Sequence, residues 1–214
     1  MEGLRESQDE RLVHRMIFFT DAVFAIVMTL LVLELRPPVG DLLSDRGAAL
    51  QAMSGHLLAF AITFALAGVF WIAHLSTMRR LEHFDWPVAV ANLIFLFPVC
   101  LMPFVSSWLG SGAFDGLAWA AYSSVLIVTS LANVVLVLVA TRDGGRLMNG
   151  VHWRERGYRV TRAASAGLAF GAGLVLLYTG HSVLTVYCWV LIPVVLIVAR
   201  LAFGESARRA DAHT

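Results

Sequence analysis

Six apolar runs divide this chain, at residues 17–35, 51–76, 87–109, 116–140, 161–180 and 183–203. Each is close to the ~20 residues that a helix needs to cross the hydrocarbon core of a bilayer. A soluble domain has no use for six such runs, and composition agrees: 58% of the 214 residues are hydrophobic, 14% are charged and the mean hydropathy is +0.74. The pattern predicts an all-α integral membrane protein with six transmembrane helices in one domain, residues 1–214. The polar opening "MEGLRESQDERLVHR" lacks the small-residue cleavage site of a signal peptide. Residues 1–16 are therefore expected as a polar N-terminus and the first run as a retained span.

The arginines set the orientation. All 16 basic side chains are arginine, and they cluster before the first run (Arg5, Arg11, Arg15), between the second and third (Arg79, Arg80), between the fourth and fifth (Arg142, Arg146, Arg154, Arg156, Arg159, Arg162) and at the end (Arg200, Arg208, Arg209). The other three connections hold only Arg36 and Arg46. By the positive-inside rule both termini, including the tail 205–214, are expected in the cytoplasm of a multi-pass cell-membrane protein. The connections "GSGAFDG" and "GHS" leave room only for tight helical hairpins. The link 141–160, with "WRERGYR", is expected as an interfacial segment whose arginines meet headgroups as a solvated or lipid-facing loop.

Several function classes recede at this level. A net charge of +1 is far from the basic surface that nucleic acid requires. Cys100 and Cys188 stand in apolar runs with no CxxC pattern, which suggests small buried hydrophobes and neither a disulfide framework nor a metal site. The histidines at 14, 56, 74, 83, 152, 181 and 213 have no HExxH or comparable spacing, and no enzyme, catalytic residue or cofactor is expected. In the fifth run, Ala163, Gly167 and Gly171 form a small-xxx-small surface on which helix backbones approach closely.

Polar residues inside the runs carry the rest, because a charge within a span costs roughly 2.5–3.5 kcal/mol on insertion scales. These are Asp21, Thr29, Glu34, His56, His74, Asn92 and Asn133. Asp21 is six residues from Arg15, on a different helix face, so each requires a partner from another helix or subunit or, for Asp21, the helix dipole and headgroups. Along the same helix Ile26, Leu30 and Leu33 recur at steps of four and three, with Val23 and Phe19 continuing the stripe and Thr29 bordering it. Periodicity alone reads such a stripe as core packing, and such a threonine as bonded to its own helix.

The segment "RMIFFTDAVFAIVMTLLVLEL" resembles the signature of the transmembrane protein 175 family, whose first helix opens with R-x-x-x-F-S-D; here Arg15, Phe19, Thr20 and Asp21 stand in those places, threonine keeping the serine hydroxyl. "FWIAHLSTMRRLEHFDWPVAVANLIFLFPVCLMPF" is similar to the family's second and third helices, with Trp71 and His74 before the basic turn, Asn92 early in the third run and Pro103-Phe104 near its end. Runs four to six agree only in number and character.

The resemblance implies a potassium-permeable cation channel without a TVGYG-type filter, a homotetramer with one six-helix repeat per chain and the first helix lining a central pore. It places the hydrophobic constriction on Ile26, Leu30 and Leu33, with the Thr29 hydroxyl facing or flanking the pore. Arg15, Phe19, Thr20, Asp21, Trp71 and His74 become a network that fixes the pore helix. The implied partners are potassium and other monovalent cations, held only in transit, three further copies of the chain and the bilayer. Glu34 then reads either as an outer ring of charge or as an interfacial residue near Arg36, and His74 as a support or as a titrating group. A different class, a proton-coupled secondary transporter relaying through Asp21 and His74, would show inverted repeats and interrupted helices, although Pro98, Pro103 and Pro193 can kink the third and sixth runs.

Overall fold

The computed structural model describes residues 2–35, 46–111, 115–148, 150–185 and 187–204. Helices and the connections between them account for all of these, with no strand among the described residues. In chain order the helices are α1 (Glu2–Leu33), α2 (Arg46–Met78), α3 (Trp86–Cys100), α4 (Met102–Ser111), α5 (Gly116–Ala140), α6 (Trp153–Tyr178), α7 (Ser182–Thr185) and α8 (Leu191–Phe203). Among the described residues, five stretches are long and apolar enough to cross a membrane: Gln8–Leu33, Met53–Met78, Trp86–Ser111, Gly116–Ala140 and Trp153–Tyr178. This is a multi-pass membrane protein.

In three places the helices differ in detail from the runs read in the sequence. The first span does not begin where the polar N-terminus stops: α1 runs through both for 32 residues, about 48 Å, so its first turns extend past a ~30 Å hydrocarbon core. The third span is broken at Leu101, because Pro98 and Pro103 lack the N–H groups that would bond the carbonyls of Ile94 and Val99; the Leu101 N–H turns to Pro98 O at 3.1 Å. The sixth run is divided into α7, a 3₁₀ turn at Cys188–Val190 and α8, and its continuous apolar part, Cys188–Phe203, is shorter than the other spans. Arg36, residues 112–114 of "GSGAFDG" and the tail 205–214 with Arg208 and Arg209 lie outside the described residues.

Local chemistry explains the helix ends. Asp115 caps α5, its Oδ1 accepting from Ala118 N at 2.7 Å, and His152 Nδ1 accepts from Arg154 N at 3.3 Å at the start of α6. Between them the chain turns through Asp143–Met148, where Gly145 takes φ 79° and any Cβ there would meet Val151. The turn is tied to the α2–α3 connection by Glu82 N donating to Leu147 O at 2.9 Å.

In lipid, hydrophobicity gives helices no reason to associate, so close packing and interhelical hydrogen bonds decide the arrangement. α5 packs most extensively on α6 and also on α3 and α4; α2 packs on α4, α8 on α6, and α1 rests on α2, α3 and α4. Gly167 shows why α5 and α6 approach closely: a Cβ there would lie 2.8 Å from Ser130 Cβ. Ser130 Oγ donates to Ala163 O at 2.6 Å and accepts from Gly167 N at 2.9 Å. Gly171, the third member of the expected small-residue surface, faces open space. Of the two cysteines only Cys188 is buried; Cys100 is exposed, contrary to expectation.

Candidate functional site

α1 has two faces. Val13, Thr20, Phe24, Val27 and Leu31, at steps of seven, four, three and four, are buried against the bundle. The stripe read from the sequence lies on another face: Ile26 is 57% exposed, Leu30 41% and Leu33 71%. Core packing within the chain is therefore not its role. Val23 packs at the margin of the core, and Phe19 is exposed at the other end of the stripe. Beside it the Thr29 hydroxyl donates to Ile26 O at 2.8 Å, as a threonine inside a span commonly does. Donation leaves the oxygen lone pairs available as acceptors.

The buried face of α1 is joined to α2 and α3 by two polar links. In the first, Asn92 Nδ2 donates to Thr20 Oγ1 at 2.9 Å while Asn92 Oδ1 accepts from His74 Nε2 at 2.8 Å, so one amide bridges α1 and α2. The Thr20 hydroxyl proton goes to Met16 O at 3.0 Å. In the second, Trp71 Nε1 donates to Asp21 Oδ1 at 2.9 Å. Phenylalanines fix the imidazole: Phe95 stacks on His74 with ring centroids 5.5 Å apart and planes 6° from parallel, and Phe24 stands 6.4 Å away. With only 1% of its surface exposed, His74 lies inside the bundle between α1 and α3 contacts.

Four of the six expected network residues, Thr20, Asp21, Trp71 and His74, are thus brought together, and Asn92 completes them. Arg15 and Phe19 are exposed, with no hydrogen bond to these residues among the described ones. Asp21 and His74 take different partners, so no hydrogen bond connects the two groups on which a proton relay would rest. Glu34, part-buried, lines an open groove of about 640 Å³ with Leu30, Phe104 and Trp108.

Two further polar assemblies have no counterpart in the sequence reading. Thr63 Oγ1 lies 2.9 Å from Ser106 Oγ and 3.0 Å from the Tyr122 hydroxyl, joining α2, α4 and α5 at the centre of the bundle. The second corrects the reading of "WRERGYR" as a solvated or lipid-facing loop: the segment forms the first turns of α6, and Glu155 and Arg159 are buried. Glu155 Oε1 accepts from Arg80 Nη1 at 2.8 Å and from Arg159 Nη2 at 3.1 Å, while Arg159 Nη1 donates to Ser76 O at 2.7 Å. The end of α2 is thereby clamped to the start of α6. Asn133, read as a polar residue to be explained, has both amide atoms buried with no hydrogen-bond partner among the described residues and borders a narrow void beside Ser76 and Arg159.

The signature residues of α1, α2 and α3 fall within residues 15–103, which match the model of the family described as "Endosomal/lysosomal potassium channel TMEM175". A potassium channel of Chryseobacterium sp. (strain P1-3) is 30% identical over 143 residues, covering 65% of this chain and 72% of that protein. A potassium channel of Streptomyces collinus is 29% identical over 130 residues, covering 59% of this chain and 63% of that one. Among solved structures, that of a lysosomal potassium-selective channel TMEM175 homolog from Chamaesiphon minutus has the same fold, with a TM-score of 0.68 and 21% identity over 94% of this chain and 98% of the other. The Arg15–Asp21 signature, the Thr20–Asn92–His74 bridge and these likenesses converge, and the chain belongs to the TMEM175 family.

Proposed function

We propose that this protein is a potassium-permeable cation channel in which four copies surround one pore lined by α1. The observation that carries the proposal is the exposed stripe Ile26–Leu30–Leu33 on a helix whose opposite face is fastened to α2 and α3. Four Ile26 side chains around an axis form an apolar ring, where water and a hydrated ion lose favourable contacts, so the ring gates by dewetting. Leu30 and Leu33 extend the constriction outward. The lone pairs of Thr29, next to the ring, replace part of an ion's hydration shell, which gives modest selectivity without a carbonyl filter. Glu34 stands at the outer mouth and concentrates cations there. Arg15 and Phe19, exposed on one chain, meet the neighbouring copy. In this reading both termini face the cytoplasm of the cell membrane, and potassium and other monovalent cations pass without chemical change, as suits a channel family that is no enzyme class.

The test combines mass and flux. Purified protein in detergent is expected to have the mass of four chains and, reconstituted into liposomes, to conduct potassium down its gradient. A monomer that carries no flux would sink the proposal.

A further inference from the structure

Between α2, α6 and α8 lies an open groove of roughly 340 Å³ that the pore reading does not use. Val69 and Ile72 from α2 and Leu196 and Ile197 from α8 give it an apolar wall, and Arg162 of α6 and Arg200 of α8 line it as well. Ile72 and Ile197 are about half exposed, so the apolar wall continues onto the outer surface of the bundle. Arg162 stands nine residues inside α6, about 14 Å along the helix and near the start of the apolar run 161–180. Arg162 and Arg200 each have a contact of their own within the chain, and the guanidinium fork matches the geometry of phosphate oxygens.

The groove therefore combines an apolar wall with two arginines, both from the arginine clusters that the positive-inside rule assigns to the cytoplasmic side. We propose that it binds an anionic phospholipid, the phosphate held between Arg162 and Arg200 and one acyl chain lying along Val69, Ile72, Leu196 and Ile197. A free phosphate ion satisfies the arginines but leaves the apolar wall uncovered, and a zwitterionic lipid offsets its own phosphate charge. Basic pockets between helices on the cytoplasmic side are suited to such headgroups. The position has a mechanical sense as well: the apolar stretch Cys188–Phe203 has 16 residues, about 24 Å of helix, too short to span the hydrocarbon core unaided. A lipid shared by α2, α6 and α8 holds that short helix in place.

The experiment uses the full chain in detergent. Thermal unfolding is followed with added phosphatidylglycerol, with phosphatidylcholine and with inorganic phosphate, for wild type and for the double variant R162Q/R200Q. Phosphatidylglycerol is expected to raise the unfolding temperature of the wild type, phosphatidylcholine and phosphate to leave it unchanged, and the double variant to need about tenfold more phosphatidylglycerol for the same shift. An equal response of wild type and double variant, or an equal response to the two lipids, would overturn the proposal. So would a full shift from phosphate alone. If the double variant does not fold, I197W, which fills the groove while keeping both arginines, takes its place. Native mass spectrometry should then show phosphatidylglycerol retained by the wild type and lost from I197W; equal retention contradicts the site.

Discussion

Asp21 shows how much a single side chain decides in a lipid environment. Its carboxylate accepts from Trp71, and the neighbouring Thr20 accepts from Asn92, whose Oδ1 in turn accepts a hydrogen bond from His74. Interhelical hydrogen bonds of this kind contribute about 0.6–2 kcal/mol each. Asp21→Ala is expected to reduce assembly, read as loss of the four-chain species in size-exclusion chromatography, while Asp21→Asn, which keeps an acceptor for Trp71, retains most of it. Normal assembly of Asp21→Ala with sharply altered ion preference would contradict a structural role. Thr29 has the opposite profile. Its hydroxyl is exposed and bonded only to its own helix, so Thr29→Val is expected to leave assembly intact and lower the potassium-to-sodium flux ratio; an unchanged ratio confines Thr29 to its backbone bond. Thr29 was ambiguous in the sequence between backbone and ion, and the geometry accommodates both, since donation occupies the proton and not the lone pairs.

At the scale of elements, the clamp between α2 and α6 bears most of the buried charge. The Arg159 side chain is 2% exposed and Glu155 8%, so Glu155→Ala leaves a buried guanidinium without its carboxylate. A loss of about 3–5 kcal/mol is expected in denaturation measured in detergent, and a loss below about 1 kcal/mol would show the cluster to be wet. Gly167→Ala, whose Cβ would enter the van der Waals shell of Ser130, is expected to part α5 from α6 at a cost of about 1–3 kcal/mol by the same measurement. The long apolar runs made α1, α2, α5 and α6 legible in the sequence, because length alone identifies a span. The clamp was not legible: Arg80 and Glu155 are 75 residues apart, and a charge run reads as solvated until a partner from another helix is in view. The Thr63–Ser106–Tyr122 contact escaped for the same reason, each hydroxyl being unremarkable on its own helix. The sixth run is apolar throughout 183–203, so composition does not show that its helix is divided into α7, a 3₁₀ segment at Cys188–Val190 and α8.

For the whole molecule, the question is how the exposed face of α1 is covered. The sequence supplied the Ile26–Leu30–Leu33 stripe but periodicity alone turned it inward; a bundle that already fills the other side of α1 with Phe24, Val27 and Leu31 leaves it outside. The proposed tetramer converts that exposure into a pore wall, and a pore predicts flux that rises with potassium concentration without the low, substrate-dependent ceiling of a carrier; early saturation in reconstituted vesicles would favour a transporter. The most direct test of the pore assignment is potassium flux through Ile26→Asn in proteoliposomes matched for protein content. A polar ring wets the constriction, and lowering the barrier by only about 1.4 kcal/mol raises the rate roughly tenfold. Such an increase is expected with tetramer mass unchanged, and flux equal to wild type in a correctly assembled variant would remove Ile26 from the pore.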